Sequence, residues 1–148
     1  MVHNIASHLS LRAGDSPGQT ALIAPDCRLT FAQLEACANE YRAALHRAGI
    51  RKGTRTVVML RPGRDFLAIC FALLKLGAVM VLVDPGMGRR NLGKCLKEAS
   101  PEAFVGVPLS HFARGILRWA SGTVRIRLAV GRPGWGATPL NSLLTHSR

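Results

Sequence analysis

Acidic side chains are scarce in this sequence: eight Asp and Glu stand against twenty Lys and Arg, a formal net charge of +12. After Glu102 no acidic residue occurs. The excess leans toward the carboxyl half, with +3 over residues 1–60 and +9 over residues 61–148. Such a balance raises nucleic acid, acidic lipid and acidic protein as partners. Nucleic acid is disfavoured, because the arginines beyond residue 103 are dispersed rather than run together and no nucleic-acid motif accompanies them. Sixteen of the twenty cations are arginine, a bias that codon usage explains as readily as a binding surface does.

Closely spaced cysteines are missing too. Cys27, Cys37, Cys70 and Cys95 are separated by 10, 33 and 25 positions, which suits neither zinc-ligand pairs nor a redox CxxC. They are expected to be small buried residues in a reducing compartment. The opening MVHNIASHLSLRAGDSPG lacks the basic start, apolar centre and small-residue cleavage site of a secretory signal, so a cytoplasmic location is expected. The longest apolar run, residues 66–83, carries Lys75 and Gly77 near its middle. A helix of about three turns, a glycine stop and a buried strand account for it without lipid, so no membrane span is expected.

Catalytic signatures are equally sparse. There is no GxSxG elbow, no HExxH, no GxxxxGK[ST] loop and no complete GxGxxG. His3, His8, His46, His111 and His146 show no close pairing, and no metal site is expected. The carboxylate pairs Asp65 with Asp84 and Glu98 with Glu102 are separated by elements that give no reason to converge.

What is present is enough apolar material for one packed core: 148 residues, 48% hydrophobic, with a mean hydropathy of +0.17. The segments ALIA and CRLT around Pro25 and Asp26 predict a hairpin. Thr30 and Gln33 in capping-box spacing, with Phe31, Leu34, Ala38, Tyr41, Leu45 and Ala48 at steps of three and four, predict a helix ended by Gly49. TVVML predicts a strand buried on both faces, and residues 64–76 a helix apolar nearly all round, sandwiched between layers. AVMVLV is expected to be a central strand.

The alternation then repeats. Leu92, Cys95, Leu96 and Ala99 form one helical stripe, followed by a strand at AFVGV. Leu109, Phe112, Ala113, Ile116, Leu117 and Ala120 form another, followed by TVRIRLAV, whose alternation places it at or near an edge. GRPGWG reads as a surface turn leading into a short polar tail. Strands separated by helices imply an α/β fold with a doubly wound, mostly parallel sheet. Ligands of such sheets bind beyond the carboxyl ends of the strands, which directs attention to Arg61 to Gly63, Asp84 to Arg90 and Pro108 to Ser110. DPGMGRR there could hold an anion, but glycines in a tight strand-to-helix turn are the simpler account, and Asp84 with Pro85 reads as turn-shaping.

Taken in order, Leu29-Thr30-Phe31, Gly49-Ile50 with Gly53, Leu74-Lys75, Gly77-Ala78 and Val83-Asp84-Pro85 resemble the amino-terminal region of the adenylate-forming (AMP-binding) superfamily. That superfamily includes acyl-CoA synthetases, luciferases and the adenylation domains of peptide synthetases. Thr54 and Leu82 depart from its pattern, at positions that carry none of its chemistry. The continuation from residue 84 looks closer to fatty-acyl ligases and to the β-lactone synthetases of long-chain olefin biosynthesis.

The resemblance implies that residues 1–148 are an incomplete N-terminal part of an AMP-binding domain. In the parent enzyme a fatty acid and ATP, with Mg2+, would give acyl-AMP and pyrophosphate. The phosphate loop, the magnesium-binding acid, the ribose-binding aspartate and the carboxy-terminal lysine of that family have no counterpart in this sequence. No catalytic, cofactor-binding or metal-binding residue is therefore assigned here. A truncated or split-gene fragment is expected, inactive alone, partnered by the missing carboxy-terminal part and exposing some apolar surface. The alternative is a stand-alone basic module that uses the fold on an acidic partner.

Overall fold

The computed structural model describes residues 4–83, 85–107, 118, 120, 122–131 and 137–144. It begins with a helix that the sequence reading passes over, α1 (Ala6–Asp15). Asn4 starts it, its Oδ1 accepting from the Ala6 amide at 2.9 Å while its Nδ2 donates to the Leu74 carbonyl at 2.5 Å. The expected hairpin follows as antiparallel β1 (Thr20–Ala24) and β2 (Cys27–Thr30).

Helix α2 (Phe31–Arg47) has the predicted capping box. The Gln33 amide donates to Thr30 Oγ1 at 3.3 Å, and the Thr30 amide donates to Gln33 Oε1 at 2.9 Å. Its buried stripe is Leu34, Ala38, Tyr41, Ala44 and Leu45. Strand β3 (Arg55–Met59) leads into α3 (Arg64–Leu76), whose bounds match the predicted helix. Gly77 stops it with φ +71°, a conformation that disfavours any Cβ. An added Cβ would also lie 3.1 Å from Lys52 Cγ.

Beyond it come β4 (Val79–Leu82), a 3-10 turn at Pro85–Met87, α4 (Arg89–Ala99) and β5 (Ala103–Gly106). β6 (Ile126–Ala129), β7 (Thr138–Pro139) and a second 3-10 turn at Leu140–Leu143 complete the described elements. Most of the helix expected over residues 109–120 and of the turn at 131–136 lies outside the described residues.

The five larger-sheet strands are all parallel, in the order β4-β3-β5-β6-β7. Two expectations change. AVMVLV is an edge strand, not a central one: β4 pairs only with β3 among the described residues, and Val79 and Leu82 are 47% and 59% exposed. The polar tail is not a mere tail. Residues 138–139 extend the sheet beyond β6, and Leu140 is fully buried.

Helices cover both faces, so the sheet is doubly wound as expected. On one side Leu45, Ile50, Ile69, Leu73 and Leu140 pack with Val58, Val105 and Leu128 of the strands. On the other, Leu92 and Leu96 of α4 pack on Val57, Met59 and Phe104, joined by Ala120 and Val124. α3 is sandwiched as predicted, with Ala68, Ile69, Ala72 and Leu73 fully buried. The cysteine expectation holds only in part. Cys70 is buried and its thiol is pushed up to about 11 by that burial, Cys27 and Cys37 are half-buried, and Cys95 is exposed because it points away from the Leu92–Leu96 contact.

One polar cluster locks the helical layer. Lys75 Nζ donates to Glu35 Oε1 at 2.6 Å, Asn39 Oδ1 at 3.0 Å and Ser10 Oγ at 3.1 Å, joining α1, α2 and α3. Burial by itself would raise the Glu35 carboxyl. The hydrogen bonds from Lys75, Ser10 and Asn39 and the lysine charge together outweigh it and hold the group below its ordinary value.

Two outcomes follow for stability. Thr30→Ala removes the side-chain half of the α2 cap and is expected to cost about 1 kcal/mol, read from the urea midpoint of unfolding. Because the folded-state value of Glu35 is depressed, its contribution is complete above the ordinary glutamate value of about 4.3 and is lost as pH falls through the lower folded value. The stability gap between the wild type and Glu35→Gln should therefore be widest near neutrality and shrink in acid, as urea titrations at stepped pH would show.

Candidate functional site

The sheet order determines where a cavity can form. From β3 the chain steps outward to β4, then returns across β3 to β5. The connections leaving β3 and β5 thus diverge at their carboxyl ends, opening a crevice that helices do not fill. A cavity of about 370 Å³ lies there. Leu60, Arg61, Pro62 and Gly63 from the end of β3 form one wall, and Val107 and Val130, beyond β5 and β6, form another. The strand ends are held in register by the Val107 amide donating to the Met59 carbonyl at 3.4 Å and the Val130 amide donating to Gly106 at 2.9 Å.

The hairpin turn reaches the same place, with Asp26 and Cys27 at the cavity. Pro62 and Gly63 end β3 and begin α3, whose first turn supplies Arg64 and Asp65. No side chain caps that helix, and Asp65 near its positive end is favourably placed. Asp65 Oδ1 accepts the Tyr41 hydroxyl at 2.8 Å and lies 4.0 Å from Arg64 Nε. Burial first, then the hydrogen bond and charge of Asp65, push the Tyr41 phenol above its ordinary value, so it is a neutral donor at physiological pH. The result is a mixed-charge pocket mouth that Tyr41 stiffens from α2.

Of the stretches singled out in sequence, Arg61 to Gly63 does line the cavity. Asp84 and Pro108 to Ser110 lie outside the described residues. The DPGMGRR segment forms the 3-10 turn at Pro85–Met87 and then Gly88 at φ +80°, which supports the turn-forming role of its glycines. Arg89 and Arg90 follow as exposed residues of the first turn of α4.

Of the carboxylate pairs, Asp65 with Asp84 falls outside the described residues at Asp84, and Glu98 with Glu102 forms no site. Glu102 sits at the opposite, amino end of the sheet, where its Oε2 accepts the Arg55 amide at 3.2 Å, and Glu98 is exposed on α4. The contact that sequence reasoning missed is Tyr41 with Asp65. Its only trace was the place of Tyr41 in the buried stripe of α2.

Among the described residues, no three His, Cys, Asp or Glu side chains gather closely enough to hold a metal ion. Asp65, the cavity carboxylate nearest the helix start, is already engaged by Tyr41 and Arg64. These residues do not fit a magnesium–nucleotide site by themselves, and no step is derived through one. No described helix is long and apolar enough to cross a membrane.

The sequence pattern of the AMP-binding enzyme family matches residues 9–135. Olefin β-lactone synthetase from Stenotrophomonas maltophilia is 46% identical over 95% of this chain, and that from Xanthomonas campestris pv. campestris is 43% identical over 93%. The chain spans 28% and 27% of their respective lengths. Among solved structures, MbtA of Mycobacterium smegmatis superposes with a TM-score of 0.84 at 27% identity, covering the whole of this chain and 28% of that one. The inhibitor-bound N-terminal domain of FACL13 from Mycobacterium tuberculosis gives 0.74 at 28% identity, over 82% of this chain and 32% of that one. The resemblance read from Leu29 to Pro85 is borne out, and the chain belongs to the AMP-binding enzyme family, matching its amino-terminal region.

Proposed function

We propose that this chain is the sheet-bearing amino-terminal part of an ATP-dependent acyl-adenylate-forming ligase whose acid substrate is a β-hydroxy fatty acid. The observation that carries this reading is the 46% identity to an olefin β-lactone synthetase across nearly the whole chain. In the complete enzyme a carboxylate oxygen attacks the α-phosphorus of ATP and pyrophosphate leaves. The β-hydroxyl oxygen of the acyl-AMP then attacks its own carbonyl, losing its proton and expelling AMP as the four-membered ring closes. ATP and Mg2+ belong to that complete enzyme.

The role of this chain is positional. Parallel strands β3, β5 and β6 present one edge of a crevice at their carboxyl ends, and the Tyr41–Asp65 contact braces its rim. Rigid strands hold such a wall more accurately than loops would. Fatty-acid chemistry is favoured over an aryl acid because identity falls from 46% to 35%, over 70% of this chain, for a salicyl-AMP ligase from Mycobacterium tuberculosis.

Exchange of radiolabelled pyrophosphate into ATP tests the reading. The purified 148-residue chain is expected to show no exchange above background with β-hydroxy fatty acids. A protein in which this chain is joined to the downstream remainder of an olefin β-lactone synthetase should exchange and release β-lactone. Exchange by the short chain alone would overturn the scaffold role. A well-folded joined protein that exchanges only with aryl acids would overturn the substrate class.

A further inference from the structure

Helix α4 has two unlike faces. Leu92 and Leu96 are each 1% exposed and pack on the sheet. An adjoining side carries Arg89, Arg90, Lys94 and Lys97, all exposed, around an open depression of about 570 Å³ with Gly93 among its lining residues, and Glu98 is exposed one turn beyond Lys94, outside that lining. Neither described ion pair, Arg64 with Asp65 or Lys75 with Glu35, involves these four cations, and no described carboxylate lies within 4.0 Å of them.

Three local rules of helix stability are broken on this one face. Arg89 and Arg90 stand in the first turn, where the helix dipole favours anions, and no acidic residue accompanies them there. Gly93 occupies the helix interior, at a cost of roughly 0.5–1 kcal/mol relative to alanine. Four like charges also share one side within about 12 Å of helix length. Local rules broken together, on a face that no described element covers, mark a surface shaped for something other than stability.

We propose that this face of α4 is a docking surface for an acidic polypeptide segment, whose carboxylates pair with the four cations and whose chain settles over Gly93. The inference rests on this face alone and not on the ligase reading. Lipid is the poorer occupant, since none of the residues lining the depression offers an apolar side chain for insertion. Nucleic acid is poorer as well, since none offers an aromatic ring for stacking. Carboxylates repeating along one face of a partner helix match the span and sign of the stripe, and the smallest residue of α4 lies where such a helix would press closest.

The test is fluorescence anisotropy with labelled poly-L-glutamate, comparing Lys94→Glu/Lys97→Glu with Arg42→Glu/Arg125→Glu. The control pair has the same change in net charge at two exposed positions off this face. The first variant should bind about tenfold or more weaker and the control no more than about twofold weaker, with binding that falls as salt rises from about 50 to about 200 mM. Lys94→Gln/Lys97→Gln replaces the reversal variant if thermal unfolding shows the latter to be misfolded. Equal losses in both variants would reduce the effect to net charge and overturn the proposal. So would a single-stranded oligonucleotide or phosphatidylglycerol vesicles binding more tightly than poly-L-glutamate through the same two lysines.

Discussion

The packing of α3 between the sheet and α2 is the constraint on which the rest depends. Ala68, Ile69, Ala72 and Leu73 are wholly removed from solvent, as are Ala38, Ala44 and Leu45 on α2. Alanines on both helices let the backbones approach closely, while Ile69, Leu73 and Leu45 supply the apolar area that drives burial. Because β3 feeds directly into α3 through Pro62 and Gly63, the position of this helix also sets the position of the cavity wall. The Tyr41–Asp65 and Lys75–Glu35 contacts pin the two ends of the same interface.

Around that interface the molecule is uneven. The helical layer is deep and its buried side chains are contiguous, whereas the opposite face has α4 as its principal described helix, anchored by two leucines. The β4 edge exposes Val79 and Leu82, and Met87 in the next turn is 37% exposed. Apolar surface of this kind on a free strand edge invites pairing or covering. The strong positive charge, +12 overall, opposes self-association of the same surfaces.

Much of the architecture was legible because its causes are local. The capping box at Thr30 and Gln33, the three-and-four spacing through α2, the glycine stop at Gly77 and the hairpin about Pro25 and Asp26 each involve residues close in sequence. Helix α1 escaped notice because it buries only Ala6 and Leu9, and its N-cap position, Ile5, makes no side-chain capping hydrogen bond. Cys95 was misjudged because a helical stripe read from letters has a width that packing narrows: Leu92 and Leu96 fill the contact and turn the thiol outward.

By itself the sequence determined helices α2 to α4, strands β1 to β6, their alternation and the family, since periodicity, caps and motif spacing are properties of short stretches and of their order. Only the tertiary structure decided that β4 is an edge, that residues 138–139 extend the sheet, and that Arg61, Asp65, Asp26 and Val130 meet at one cavity. The physical reason is that an apolar run such as VMVL meets the needs of an edge or a central strand equally well. Which it becomes depends on backbone hydrogen bonds to partners tens of residues away, and the letters of the strand do not encode those partners.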